Sequence, residues 1–458
     1  MQNIKPKENR MGTQNIPSLL FSISFPIIIS MIVQAPYNII DSIFIAKFDA
    51  VNGTGALTLA FPIQTLMIAV SVGLSVGMNA LLSRSLGQKN TEKANLICGQ
   101  GFFLTICGFL IFLIFGLFFA EPFVSTQAEK GSLLYDYTLD YLRVVCIFSF
   151  GLFIQVVTEK LLQATGKSML SMIVQLSGAI TNIILDPILI FGWLGLPAMG
   201  AKGAAIATVI GQMVSAVLGV FLNLKYNTEI KIKIKSFLPQ WHTLHEMLTI
   251  GIPAVLMQAI SSVMTFAMNF ILNGFSTEAL NVFGIYFKLQ SFIFMPVFGL
   301  NNGMVPIISY NYGAEKKARI YKTMKLAAIC AVSYMLLGFL LFQTIPGVLL
   351  KFFNATDLML TLGKPALRTI SISFIMAGFS IVSISVCQAL GQSIYSLIVS
   401  IVRQLVILIP AAFLLSLSGK VNLIWWAFPI AELVGCALCI TFVLMVLKKR
   451  VSTMPDVS

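Results

Sequence analysis

The sequence predicts an all-α polytopic membrane protein, with twelve transmembrane helices forming two six-helix bundles related by an internal repeat. Three observations lead there. The chain is 57% hydrophobic and only 10% charged, with a mean hydropathy of +0.91, whereas soluble domains are about one quarter charged. Uncharged stretches at 11–40, 50–83, 94–120, 203–224, 247–277, 289–314, 326–350 and 369–402 each exceed the roughly 20 residues that span hydrocarbon. The phrase GLSVGM at 73–78 returns as GLNNGM at 299–304, 226 positions later, and Gly87 is matched by Gly313 at that spacing. QATGKS at 163–168 returns as QALGQS at 388–393, a spacing of 225, and Pro26 pairs with Pro253 at 227. A separation that drifts so little marks two copies of one fold. In a membrane chain, paired halves point to a transporter.

Divided at proline, glycine and charge clusters, the apolar stretches give helices near 18–45, 54–82, 95–120, 135–158, 168–192, 203–224, 245–274, 280–309, 322–348, 358–389, 394–418 and 421–447. Residues 1–17 form an amino-terminal tail without an apolar core or cleavage site, so the first helix reads as an uncleaved signal anchor. The first lobe spans 18–224 and the second 244–447, with a carboxy-terminal tail at 448–458. Between the lobes, 225–243 carries Lys225, Lys231, Lys233, Lys235 and Pro239 and is the most polar interior segment, as a linker should be.

With both termini in the cytoplasm, the inside segments hold 19 Lys and Arg, and the outside loops hold only Lys47, Lys130, Lys202, Lys351, Lys364 and Lys420. That asymmetry predicts a plasma-membrane (inner-membrane) protein with cytoplasmic termini. It also accounts for the net charge of +13 through loops facing anionic lipid, without a nucleic-acid partner. The seven cysteines lie in or at the ends of apolar helices, and Cys436-x-x-Cys439 falls inside helix twelve, so all read as packing residues.

Two motifs mislead. Gly73-Leu-Ser75-Val-Gly77 fits the serine-hydrolase elbow, but no strand precedes it, and the only histidines, His242 and His245, lie at the end of the linker. Small-xxx-small helix packing at Gly73 and Gly77, and at Gly299 and Gly303, is the better reading. No Walker A phrase and no G-x-G-x-x-G loop is present. An enzyme is therefore not expected, and transport would draw on an ion gradient.

Three carboxylates fall within the first copy's helices: Asp41 in helix one, Glu159 near the cytoplasmic end of helix four and Asp186 in helix five. Each costs about 2.5–3.5 kcal/mol at a helix centre, so a tolerated acid there usually faces a cavity. Gln34, Asn38 and Asp41 share a face of helix one, with Tyr37 a turn before Asp41; Asn182 and Asp186 stand at i and i+4 on helix five. Thr208 in helix six adds an oxygen. Pro36 and Pro187 each free a carbonyl near an acid, which a bound cation can satisfy. The competing reading is that Asp41 and Asp186 brace helices, and Glu159 sits where snorkelling lowers its cost. The second copy has Met268 where the first has Asp41. Its remaining intramembrane charges are Lys288, Arg403 and Glu432, the latter two read as a structural ion pair. Gln34, Tyr37, Asn38 and Gln64, with Met257, Met264, Phe292 and Met295, are the candidate cargo contacts.

The stretches EKLLQATGKS at 159–168, AITNIILDPILIFGWLGLPAMGAKGAAIATVIGQ at 179–212 and YFKLQSFIFMPVFGLNNGMVPIISYNYGA at 286–314 resemble the multidrug and toxic compound extrusion (MATE) family, along nearly the whole chain. The resemblance implies two bundles facing each other as a V, with export driven by inward H⁺ or Na⁺ flow. It places the family's helix-one aspartate on Asp41, its helix-five asparagine and aspartate on Asn182 and Asp186, and its helix-six threonine on Thr208. Helix four departs, because Glu159 stands where many members have asparagine. The acids that one branch uses in helices seven and ten are absent, so coupling belongs to the first lobe. Asp41, Asn182 and Asp186 are the expected donors if the ion is Na⁺.

The expected function is secondary active export of lipophilic organic cations, small-molecule cationic drugs or toxic compounds, from the cytoplasm in exchange for H⁺ or Na⁺ by alternating access, by a monomer seated in the lipid bilayer and using no cofactor beyond its coupling ion. A lipid-linked precursor flippase is the alternative, disfavoured because only Lys288 and Arg403 offer charge to a phosphate. A non-transporting receptor or enzyme would leave the two copies unexplained.

Overall fold

The computed structural model describes residues 9–231, 234–353 and 355–455, without the side chains of 35–39 and 234–235. Helix is the only regular secondary structure among these residues. The spans are α1 (Ile16–Phe48), α2 (Asn52–Gly87), α3 (Thr91–Ser125), α4 (Leu133–Ile147 continuing as Phe150–Ala164), α5 (Ser168–Phe191), α6 (Gly200–Tyr226), α7 (Trp241–Asn273), α8 (Thr277–Gly313), α9 (Lys317–Thr344), α10 (Asp357–Ala389), α11 (Ser393–Ser416) and α12 (Val421–Arg450). Counting the bent α4 as one, the described residues carry twelve spans.

Short polar residues start these helices where the sequence leaves amides unpaired. Asn90 accepts from the Lys93 amide at the head of α3, Ser132 from Tyr135 at α4, and Ser276 from Ala279 at α8. Asp49, in the turn after α1, accepts from the backbone of Val51 and Asn52 and from the Asn52 side chain. The Asn52 bonds hold its carboxyl below the usual range, so this cap is strongest above the ordinary carboxylate pKa and fades as pH falls. Helix four was expected as one segment over 135–158. It instead bends by 46° between Ile147 and Phe150 and runs on to Ala164. Ser149 and Gly151 flank the bend, the small-residue signature of a kink.

The chain separates into two compact units, one of Met1–Ile28 with Leu256–Ser458 and the other of Ile29–Val255. These bounds differ from the lobes 18–224 and 244–447. They fall inside α1 and α7, two residues after Pro26 and Pro253, so each of these helices begins in one unit and ends in the other. The physical cause is the repeated glycine phrase. Gly73 of α2 lies so near α7 that a Cβ would stand 2.8 Å from the Val255 nitrogen, and one at Gly77 would strike the Met247 carbonyl. In the second copy, Cβ atoms at Gly299 and Gly303 would stand 2.8 Å from the Cα atoms of Ile28 and Ser24. The Ser24 hydroxyl donates to the Leu300 carbonyl at 3.2 Å across that seam. Each copy's glycine phrase thus seats the opening half of the other copy's first helix.

Substituting Gly77 or Gly303 by leucine is expected to destabilise the fold by about 1–3 kcal/mol or more, because backbone is what must give way. Melting of purified protein and its yield in the membrane measure this; Gly284→Leu, where a Cβ meets nothing within 4 Å, is the neutral control.

Candidate cation site

The predicted acids of helices one and five are buried in the unit Ile29–Val255. Asp41 is 9% exposed and Asp186 fully buried, with Asn182 and Thr208 beside it at 2% and 3%. Close helix approach brings them together: α5 and α6 meet at Gly178 and Gly211, where a Cβ on Gly211 would stand 2.7 Å from the Gly178 carbonyl. That contact lets a short amide on α5 reach α6. The Asn182 amide satisfies its partners when its nitrogen donates to Asp186 Oδ2 at 3.0 Å and its oxygen accepts from Thr208 Oγ1 at 3.2 Å and the Thr208 N–H at 3.1 Å.

Asp41 completes the cluster from α1, near enough for its charge to act on Asp186. Its Oδ1 is buried without a hydrogen-bond partner, a costly state for an acceptor. Neither acid pairs with a Lys or Arg among the described residues. Two carboxyls, an amide and a hydroxyl form an all-oxygen set, suited to a hard cation or a proton. Three or more clustered His, Cys, Asp or Glu of the kind that hold a transition metal are not found among the described residues.

The structure also shows a partner that pattern reading missed. Gln175 on α5 donates to Gln34 on α1 at 3.0 Å, two turns from Asp41 and three from Asp186, so a polar seam joins the two helices. Its signal was available: Gln175 precedes Asn182 by seven residues and shares its face. Gln64 is half-buried on α2. The side chains of Pro36, Tyr37 and Asn38 lie outside the described residues.

Glu159 belongs elsewhere. It accepts from Gln155 at 3.0 Å within its own helix, next to Lys160, which is 7% exposed. Lys160 donates to Gln163 at 2.9 Å and Gln163 to Ser171 at 3.0 Å. This second polar cluster shares no described hydrogen bond with Asp41, Asn182 or Asp186, and Lys160 was overlooked in the sequence. Met257, Met264, Phe292 and Met295 belong to the other unit. There Met268 is fully buried where the repeat would place an acid, and Arg403 pairs with Glu432 at 3.1 Å. Lys288 lies over the Phe353 ring at 5.9 Å.

The MatE family matches residues 26–188 and again 253–414, two matches that start 227 positions apart and repeat the chain's own internal spacing. The chain belongs to the MatE family. This MatE protein is a multi-pass membrane transporter and not an enzyme. It is similar to the multidrug export protein MepA of Staphylococcus haemolyticus (strain JCSC1435), 29% identical over 430 residues that cover 94% of this chain and 93% of that one. The protein of that name from Staphylococcus aureus (strain bovine RF122 / ET3-1) is 26% identical over 429 residues, with the same coverage. Its fold is that of a solved MATE family transporter of the MOP superfamily in an outward-facing conformation, with TM-score 0.90 at 22% identity over 98% of this chain and 99% of that one.

Proposed function

We propose that this MatE transporter exports lipophilic organic cations in exchange for H⁺ or Na⁺, cargo and driving cation competing for Asp41 and Asp186. The observation that carries the proposal is a buried acid pair without a basic partner, one of whose oxygens, Asp41 Oδ1, has no donor. Two like charges in low dielectric repel and are poorly solvated, so a proton, a sodium ion or a cationic cargo each relieves the site, and binding one weakens the case for the next. The names of the MepA relatives support drug export. The second copy carries Met268 in place of the acid, which supports a reading of coupling within Ile29–Val255. The basic asymmetry of the loops supports cytoplasmic termini in the plasma membrane, and nothing in the proposed cycle needs more than a monomer.

One charge crossing about 100 mV releases about 2.3 kcal/mol, enough for a roughly fifty-fold cargo gradient. The test is efflux of a lipophilic cationic dye from proteoliposomes, under a pH gradient alone and then a sodium gradient alone. One gradient should drive it, and neither should move a sugar or an anion. Dye movement under neither would overturn the proposal, and export of an anionic lipid precursor would replace it with a flippase.

A further inference from the structure

The unit of Met1–Ile28 and Leu256–Ser458 carries a groove of about 370 Å³, in the size range of organic-ligand pockets. Its walls are Phe21 and Phe25 from the first half of α1, Leu300 from α8, and Leu326, Cys330 and Tyr334 at i, i+4 and i+8 on α9. The lining is open to the surroundings: Phe21 is 66% exposed and stacks on Phe25 at 5.0 Å. Cys330 is exposed, whereas the other six cysteines are buried or half-buried. One turn before Leu326 the same stripe of α9 continues to Lys322, with Lys325 beside it. Both lysines are exposed, and neither pairs with an acid among the described residues.

The internal repeat supplies a counterpart of this face that is covered. At the 226-residue offset α9 corresponds to α3, Leu326 to Gln100 and Lys325 to Gly99. In the unit Ile29–Val255 the chain's own linker covers that face. Gln100 donates to the Ser236 and Leu238 carbonyls at 2.7 Å each and accepts from the Gln240 amide at 2.9 Å. Phe237 packs on Phe102 at 5.6 Å, and Gly99 has no room for a Cβ beneath Ser236. On α9 the amide that grips backbone has become an apolar side chain, and the glycine that admits it has become a cation. Peptide is held instead two turns before Leu326, where Arg319 donates to the Met11 and Gln14 carbonyls at 2.9 and 2.8 Å, which leaves Leu326 and Lys325 to match something with an apolar body and a negative head.

We propose that this groove is a binding site for an anionic phospholipid, one acyl chain lying along Phe21, Phe25, Leu326, Cys330 and Tyr334 with its phosphate over Lys322 and Lys325. The ammonium groups supply point charges for the phosphate. The apolar stripe begins one helical turn further along α9, as the order of headgroup and chain in a leaflet requires. The groove and the acid cluster belong to different units, and the groove's occupancy does not depend on the transport cycle proposed above.

The experiment counts lipids retained by the purified full-length protein in native mass spectrometry during titration with phosphatidylglycerol or phosphatidylcholine. One phosphatidylglycerol should bind more tightly than phosphatidylcholine. At about fivefold per surface lysine, Lys322→Gln with Lys325→Gln should weaken it about twenty-five-fold and leave phosphatidylcholine unchanged. The same charge loss at Lys448 and Lys449 should leave the tight site in place. Cys330→Phe, which fills the groove at an exposed position, should remove it. Unchanged phosphatidylglycerol affinity in the lysine double variant, or an intact tight site in Cys330→Phe, would overturn the proposal. So would tighter lipid binding after deletion of residues 1–8, which would make the chain's own amino terminus the occupant.

Discussion

Asp41→Asn and Asp186→Asn are each expected to reduce gradient-driven efflux to background while the protein still inserts and folds. Asparagine keeps the shape of the side chain and an acceptor oxygen for the Asn182 amide, which donates to Asp186 Oδ2 at 3.0 Å. It removes the charge that attracts a cation and the group that takes up a proton. The buried cluster loses one of two repelling carboxylates, so stability should hold or rise while coupling disappears. The assay is dye efflux from proteoliposomes, normalised to folded protein, with Asp49→Asn as control. Asp49 is half-buried and caps the turn before α2, outside the acid cluster, so its variant should pump normally. Wild-type efflux from either intramembrane variant would sink the assignment of the site.

Breaking the Arg403–Glu432 pair on one side should destabilise the protein by about 3–5 kcal/mol, because the remaining charge is buried without a partner. The Arg403 guanidinium donates to both Glu432 oxygens, at 3.1 and 3.4 Å, and the two side chains are 19% and 10% exposed. Gly435 leaves room for the arginine stem, since a Cβ there would stand 2.9 Å from Arg403 Cδ. Glu432→Leu or Arg403→Met alone should therefore lower the melting temperature and the membrane yield sharply. The two together should restore most of both, and efflux by the double variant should keep the wild-type dependence on pH and sodium. Loss of that dependence in a double variant that still transports would move coupling into Leu256–Ser458.

Much of this was legible because it depends on residues near one another along the chain. A run of apolar residues declares a span wherever it occurs, and an acid within a span declares its cost, so Asp41, Asn182, Asp186 and Thr208 could be named from position and spacing. Gln175 was legible in principle, by the same seven-residue step from Asn182, but glutamine at a helix face is ambiguous until the facing helix is known. Glu159 shows the limit more sharply. Its place in a helix is clear from the sequence, yet its company is Gln155, Lys160, Gln163 and Ser171 instead of Asp41 and Asp186. Adjacent charges on one helix are hidden from a reading that treats each intramembrane acid alone.

By itself the sequence determined the number and order of the helices, the two copies, and the chemical asymmetry by which Met268 stands where the first copy has Asp41. Those properties follow from transfer free energies and repeat offsets, which are sums over local residues. Only the tertiary structure decided that α1 and α7 change units at Ile28 and Val255 and that the groove beside α9 stays open where the linker covers its counterpart on α3. Apolar helices have little preference among apolar neighbours in a bilayer. Which faces meet is settled by how closely two backbones can approach, as at Gly77 with Met247 and Gly303 with Ser24, and that is a property of pairs of distant residues.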